Sequence, residues 1–314
     1  MLTRQKVLLA LLEEAGHPLT RTMLVKLAFL MRRETSLAAD RTFYDFVPYR
    51  FGPFSFALYR EMTALEAQGY IATPDDESVT LQQATEVERR RLIACLPRQL
   101  RRQITFKVEQ YGREAQADLI KDIYARYPWY ATRSELLPPQ ESLPVAQIAV
   151  YTLGYEGMSI DGFMSNLLGE GIRAIVDVRA NPVSRKYGFA RSSLKRIAER
   201  LELDYHHLPE LGISTTERRQ SLTTEELRQA LLVQYAEQMT AREDALMAAV
   251  ELLRAKPSVL VCMEREVERC HRGQLARSVA ERTGLPVVHL QKARSACGAT
   301  EDTHLRQDVS NPLC

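Results

Sequence analysis

Between residues 148 and 290, short apolar runs rich in β-branched residues alternate with helical patterns, and this order constrains the fold most. "QIAVYTLG", "RAIVDV", "LDYHHL", "SVLVCM" and "PVVHL" read as strands. "SIDGFMSNLLGEG", "RSSLKRIAERLE" and "HRGQLARSVAERTG" read as helices. "TTEELRQALLVQYAEQMTAREDALMAAVELLRAK" reads as one long helix or two. Strands that alternate with helices pair in parallel through crossovers, which places helices on both faces of the sheet. The predicted class is α/β: a doubly wound, Rossmann-like sheet of about five strands over residues 147–291.

Residues 1–135 follow a different pattern. "TRQKVLLALLEEAG", "LTRTMLVKLAFLMRRE" and "SFALYREMTALEAQG" have helical spacing, with Thr3 and Thr20 as caps and Gly16 and Gly69 as stops. "YIATPDDESVTLQQ" reads as a β-hairpin turning at Pro74, Asp75 and Asp76. Helices followed by such a ribbon suggest a winged helix-turn-helix, a fold that reads DNA. The next segment is basic and helical, carrying Arg89, Arg90, Arg91, Arg98, Arg101, Arg102 and Lys107. Such a stripe suits phosphates, although a charge run also serves as a plain solvated face. Pro138, Pro139 and Pro144 mark a linker at 136–146, and residues 292–314 read as a flexible tail.

The 314 residues suffice for two ordinary domains. No apolar run approaches the roughly 20 residues of a membrane span, and the N-terminal helix lacks a cleavage site, so a cytoplasmic protein is expected. Five cysteines do not make a secreted disulfide framework. Cys95 reads as a small core residue, and Cys297 and Cys314 fall in the tail. Cys262 and Cys270 share a local context. A net charge of +2 says little about nucleic acid.

In open parallel sheets ligands bind outside the carboxyl ends of the strands. The unusual polar residues of this chain fall there. Gly154, Tyr155 and Glu156 follow the first strand. Asp177 and Arg179 end the second, with Asn181, Pro182, Ser184 and Arg185 beyond. His206, His207, Glu210 and Gly212 follow the third. Cys262, Glu264, Cys270, His271 and Arg272 follow the fourth, and His289 ends the fifth. Asp177 with Arg179 suits either a structural ion pair or a functional role. His206 and His207 point to opposite faces, and register decides which meets the rim. Cys270, near a helix N-terminus and flanked by Arg269 and Arg272, is placed to favour a thiolate or to help bind phosphate.

Known templates fit poorly. A phosphatase or rhodanese loop needs arginine six positions after its cysteine, where Glu268 and Ala276 stand. Seven residues separate Cys262 from Cys270, outside the usual spacing of zinc pairs. Cofactors stay unassigned, and a metal at Cys262, Cys270 and His271 is the less favoured reading. There is no Walker loop and no G-x-G-x-x-G.

"YTLGYEGMSIDGFMSNL", "IVDVRANPVSRKYGF", "YHHLPELG" and "VLVCMEREVERCHRG" occur in that order between about Ile148 and Leu290. Together they resemble the family called domain of unknown function 488. The resemblance implies an α/β domain with a parallel sheet and supplies no reaction. "FVPYRFGPFSFALYREMTALEAQGYI" is similar to winged-helix, Panacea-type antitoxin-like domains, which implies prokaryotic regulation or defence.

The expected function is an enzyme of hydrolase type acting on a nucleotide or nucleic acid, with reaction at a base, glycosidic or phosphate centre. Asp177, Glu264, Cys270 and His271 are the candidate catalytic residues. Gly154, Tyr155, Glu156, Arg179, Ser184, Arg185, His207, Glu210, Cys262 and Arg272 are candidates for ligand or phosphate binding. The arginines at 89–91, 98, 101 and 102 would deliver the chain to nucleic acid. The alternative is a regulator that senses a small anionic ligand without turnover. A homodimer is among the expected states, and a membrane is not an expected partner.

Overall fold

The computed structural model describes residues 1–75, 77–138, 142–214, 216–217 and 224–291. Asp76, Pro139 and the proposed tail, with Cys297 and Cys314, lie outside them. The N-terminal part begins α1 (Thr3–Ala15), β1 (Leu19–Thr20), α2 (Arg21–Glu34), then β2 (Val47–Tyr49) and β3 (Gly52–Phe54) as a hairpin. It continues with α3 (Phe56–Ala67), β4 (Ile71–Ala72), β5 (Ser78–Leu81), α4 (Glu86–Ala94), α5 (Arg98–Tyr111) and α6 (Gln116–Arg126). Local chemistry sets these ends. Gly16 takes φ +67 to stop α1, and Thr20 Oγ1 accepts from Met23 N at 3.0 Å to start α2. Proline at 97 separates the basic stretch into two helices.

β4 and β5 pair antiparallel with Ile71 opposite Leu81, and β1 adds on the other side of β5 in the order β1-β5-β4. β1 is two residues long, too short for alternation to announce it. Leu8, Leu11, Leu24, Phe29, Val79, Ile104 and Ile123 close one core within this part. Cys95 ends α4 exposed, not buried as its helical pattern suggested, because α4 lays little more than Arg89 inside.

The C-terminal part runs β6 (Val150–Gly154), α7 (Ile160–Gly169), β7 (Ala174–Asp177), α8 (Arg191–Arg200), β8 (Asp204–His207) and α9 (Glu225–Glu237). α10 (Glu243–Ala255), β9 (Ser258–Cys262), α11 (His271–Thr283) and β10 (Val287–His289) follow. The strands form one parallel sheet in the order β10-β6-β9-β7-β8. β6, β7 and β9 are buried along their whole length, as central strands covered on both faces must be. β8 and β10 lie at the edges and are partly exposed. Tyr151, Leu153, Ile175, Val259 and Val261 face α7 and α8. Val150, Val176 and Leu260 face α10 and α11. This is the α/β class, with helices on both sides of five parallel strands.

The two parts meet through an insertion between α2 and α3. Val47 and Phe56 join the core under α7, with Tyr49 and Phe54 packed against it. Asp161 in the first turn of α7 is fully buried. It accepts hydrogen bonds from Ser55 Oγ (3.0 Å), Phe56 N (2.6 Å) and Ala57 N (3.0 Å), so it satisfies the free amides at the start of α3 from another helix. Ser159 caps α7 through Gly162 N and donates to Asp45, which pairs with Arg32 at 2.8 Å. Among the described residues no helix is long and apolar enough to cross a membrane.

Candidate active site

The sheet register brings the carboxyl ends of four strands into line. Gly154 lies opposite Cys262, and Asp177 opposite both Val261 and His207. The loops beyond β6 and β9 continue this pairing, with Tyr155 N on Cys262 O (3.3 Å) and Glu156 N on Met263 O (2.9 Å). Position 154 has to be glycine. A Cβ there would stand 1.7 Å from the Glu264 carbonyl oxygen.

One cluster gathers on the α7–α8 side of the turn after β7. Arg179 donates to both carboxylate oxygens of Asp177, at 2.7 and 2.5 Å. Its other nitrogen reaches Tyr155 Oη (3.0 Å) and Phe189 O (2.9 Å). Tyr205 Oη donates to Asp177 Oδ2 at 2.6 Å, and burial followed by the Asp177 charge raises that phenol. His207 Nε2 donates to Arg179 O at 2.9 Å, since a carbonyl only accepts. Tyr205 and His207 share one face of β8, and His206 takes the other. Tyr155 stacks on Phe189 with ring centroids 4.2 Å apart.

The second cluster sits at the end of the central strand, β9. Glu264 Oε2 accepts from Cys262 Sγ at 3.1 Å and from Cys270 Sγ at 3.3 Å. His271 Nδ1 lies 3.9 Å from one sulfur and 4.0 Å from the other. Its Nε2 donates to Val178 O at 3.1 Å, so the two clusters flank the same β7 turn. Cys262, Cys270 and His271 are buried, whereas Glu264 is half-exposed. Cys270 is the N-cap of α11, yet burial and then the neighbouring Cys262 raise its thiol. The expected thiolate is thus corrected: desolvation outweighs the helix terminus.

Residues 159–279 match the family model described as Domain of unknown function DUF488. No curated protein and no solved structure matches the chain. The DUF488 match contains both clusters except Tyr155, and Asp161 of the joint as well. β6 and its Gly154–Tyr155–Glu156 loop precede it, although β6 pairs directly with β9 inside it.

The remaining sequence-predicted residues are placed as follows. Glu156 is exposed and accepts from Arg265 N at 3.1 Å. Ser184 accepts from Lys186 N, and Lys186 Nζ reaches Tyr155 O at 3.4 Å, which brings the loop with Arg185 over the rim. Glu210 is exposed on the turn after β8. His289 bonds Thr152 Oγ1 at 2.8 Å on the far edge, with its pKa lowered by burial and then by Arg272.

Two arginines expected to hold phosphate have other work. Arg179 is 5% exposed and spent on Asp177, Tyr155 and Phe189; Arg272 is 2% exposed and donates to the Glu264 and Arg265 carbonyls. Asp177, expected as an acid–base group, is fully buried and held by Arg179 and Tyr205. Arg89 leaves the basic stripe: it is buried against Glu13 at 2.7 Å. Arg90 is exposed and paired to Glu13 and Glu86, while Arg91, Arg98, Arg101 and Arg102 are exposed. Sequence reasoning missed Tyr205. The alternation in "DYHH" carried its signal, because a residue two before His207 must share its face.

Proposed function

We propose that the C-terminal domain is an enzyme of hydrolase type acting on a nucleotide or nucleic acid, with Glu264 as its general acid–base. The observation that carries this reading is Glu264 itself. It is a half-exposed carboxylate at the end of the central parallel strand, flanked by buried sulfur and imidazole groups. It is open to solvent on one side and to proton exchange with its neighbours on the other. Arg185 and Arg265, both exposed beside the rim loops, offer the charge a phosphate needs. The Asp177–Arg179–Tyr205 network holds the strand ends in place without meeting substrate.

Glu264→Gln should leave thermal unfolding near wild type and lower turnover by about 100-fold or more. The measurement is product release from a panel of nucleotides and oligonucleotides. Equal turnover by the variant would remove Glu264 from the reaction.

The N-terminal part is proposed to bring the domain to nucleic acid. α3 stands where a winged helix carries its reading helix, and the order β1-β5-β4 suits a wing. Its N-terminus, however, is occupied by Asp161. A groove of about 690 Å³ lies instead along α5, lined by Arg98, Gln99, Arg102, Gln103 and Phe106 with Glu34 behind. Phe106 is 60% exposed, and a ring flanked by arginines suits a stacked base between phosphates. Changing Arg98 and Arg102 together to alanine should flatten the slope of log affinity against log salt by about 1.4 on single strands. An unchanged slope, read by fluorescence anisotropy, places the contact elsewhere.

The regulator reading has one specific support: Asp161 couples the sheet domain directly to α3, so a change at one is felt by the other.

A further inference from the structure

We infer that Cys262, Cys270 and His271 form a binding site for a thiophilic divalent cation, zinc by its chemistry, with the fourth position left open beside Glu264. The inference deepens the proposed reaction centre, because it uses the same cluster and adds an ion to it. The sequence spacing argued against a metal, since seven residues part the cysteines. The fold removes that objection. The β9 end and the start of α11 bring both sulfurs and the imidazole nitrogen within 4.8 Å of one another, all buried.

Four observations point the same way. The first is spacing. A tetrahedron with Zn–S bonds of about 2.3 Å and Zn–N or Zn–O bonds near 2.0 Å has edges of roughly 3.5 Å. The sulfur–nitrogen separations are 3.9 and 4.0 Å, while the Glu264 carboxylate, which accepts from both sulfurs, stands outside this three-donor group. An ion held by the three buried donors needs only small movements. The second is the tautomer. His271 Nε2 donates to Val178 O, so Nδ1 presents its lone pair toward the sulfurs. A backbone carbonyl holding the far nitrogen is the usual way a metal-binding imidazole is oriented.

The third is charge. Arg272 is 2% exposed, donates to two backbone carbonyls and has no acceptor for its Nε. No ion pair of Arg272 is found among the described residues. One divalent cation, two thiolates and one carboxylate sum to one negative charge beside this buried guanidinium. Binding would release two thiol protons to solvent and leave the cation and Arg272 in a compensated site. The fourth is donor softness. Two sulfurs and an imidazole suit zinc, and magnesium or calcium would prefer an all-oxygen shell.

The test uses the full chain, purified without chelator and kept reduced, titrated with Co²⁺ as a spectroscopic stand-in and then with Zn²⁺. The expected result is one cobalt per chain, with cobalt–thiolate charge-transfer bands and intense tetrahedral d–d bands that zinc abolishes. Zinc should also protect two thiols of the wild-type chain from a thiol reagent, a readout that needs no variant. Cys270→Ser should lose the charge-transfer intensity of one thiolate, and Glu264→Gln should keep the cobalt and shift its bands. Absence of stoichiometric cobalt binding, or unprotected thiols under zinc, would overturn the site. A disulfide between Cys262 and Cys270 in reduced preparations, seen as two hydrogens lost in the intact mass, would overturn it too. Binding is read without turnover. A chain that binds no metal yet consumes nucleotide sinks the ion alone, and one that binds metal with no turnover sinks the enzyme reading alone.

Discussion

Asp161→Asn should remove a loss of stability that this protein otherwise suffers as pH rises. Burial, opposed by the three donors at the start of α3, pushes the Asp161 carboxyl up to about 7. In the unfolded chain it ionises near pH 4. Between those values the folded state holds a proton that the unfolded state has lost. Raising pH through this window therefore destabilises the fold, opposite to the usual paired carboxylate. From pH 5 to pH 8 this group alone should remove about 3 kcal/mol. Urea unfolding of wild type and variant at both pH values gives the difference. A carboxamide in that position cannot titrate, so the variant's stability should change less across the range by about that amount. Asp161→Ala goes further: it strands Ser55 Oγ and two backbone amides and should cost about 3 kcal/mol or more at pH 5. Equal pH slopes for wild type and Asp161→Asn would show that the joint between the two parts is not built on this carboxyl.

The second large effect is expected at Arg179. Its removal leaves Asp177 fully buried, with Tyr205 as its remaining side-chain donor and no ion pair among the described residues. Breaking such a pair from one side costs about 3–5 kcal/mol, because a carboxylate is then desolvated without compensation. Arg179→Met should therefore lower the unfolding midpoint sharply. The double change Asp177→Val with Arg179→Met should recover most of the loss, since a buried pair often stabilises no more than apolar side chains of similar volume. A single variant as stable as wild type would mean that solvent reaches Asp177. In either background, turnover falls only so far as the strand ends move, which separates a positioning residue from Glu264.

Much of this was legible in the residues. The buried strands around "AVYTLG", "AIVDV" and "SVLVC" are continuous apolar runs because helices cover them twice, and such runs are visible without coordinates. The polar residues at their ends were legible for the same reason, since a parallel sheet places all carboxyl ends on one edge. Other features were hidden. Asp161 looks like an ordinary first-turn acid of α7, and nothing local says that it caps α3, more than a hundred residues earlier. Arg179 and Arg272 resemble phosphate ligands in sequence. Only packing reveals that a carboxylate, carbonyls and a phenol already take most of their donor sites. Arg89 and Lys107 look like members of an exposed stripe, yet they turn inward to Glu13 and Glu34. The cluster of Cys262, Cys270 and His271 was readable as a list and unreadable as a geometry. A strand, a short turn and a helix start together decide that separation.

The central claim is that substrate meets the carboxyl end of β9 at Glu264. Crystals soaked with a nucleoside monophosphate test it most directly. The expected density has a phosphate toward Arg185 or Arg265 and a polar atom within hydrogen-bond reach of the Glu264 carboxylate. Nucleotide bound along α5 with the β9 end untouched, at concentrations that support turnover, would contradict it.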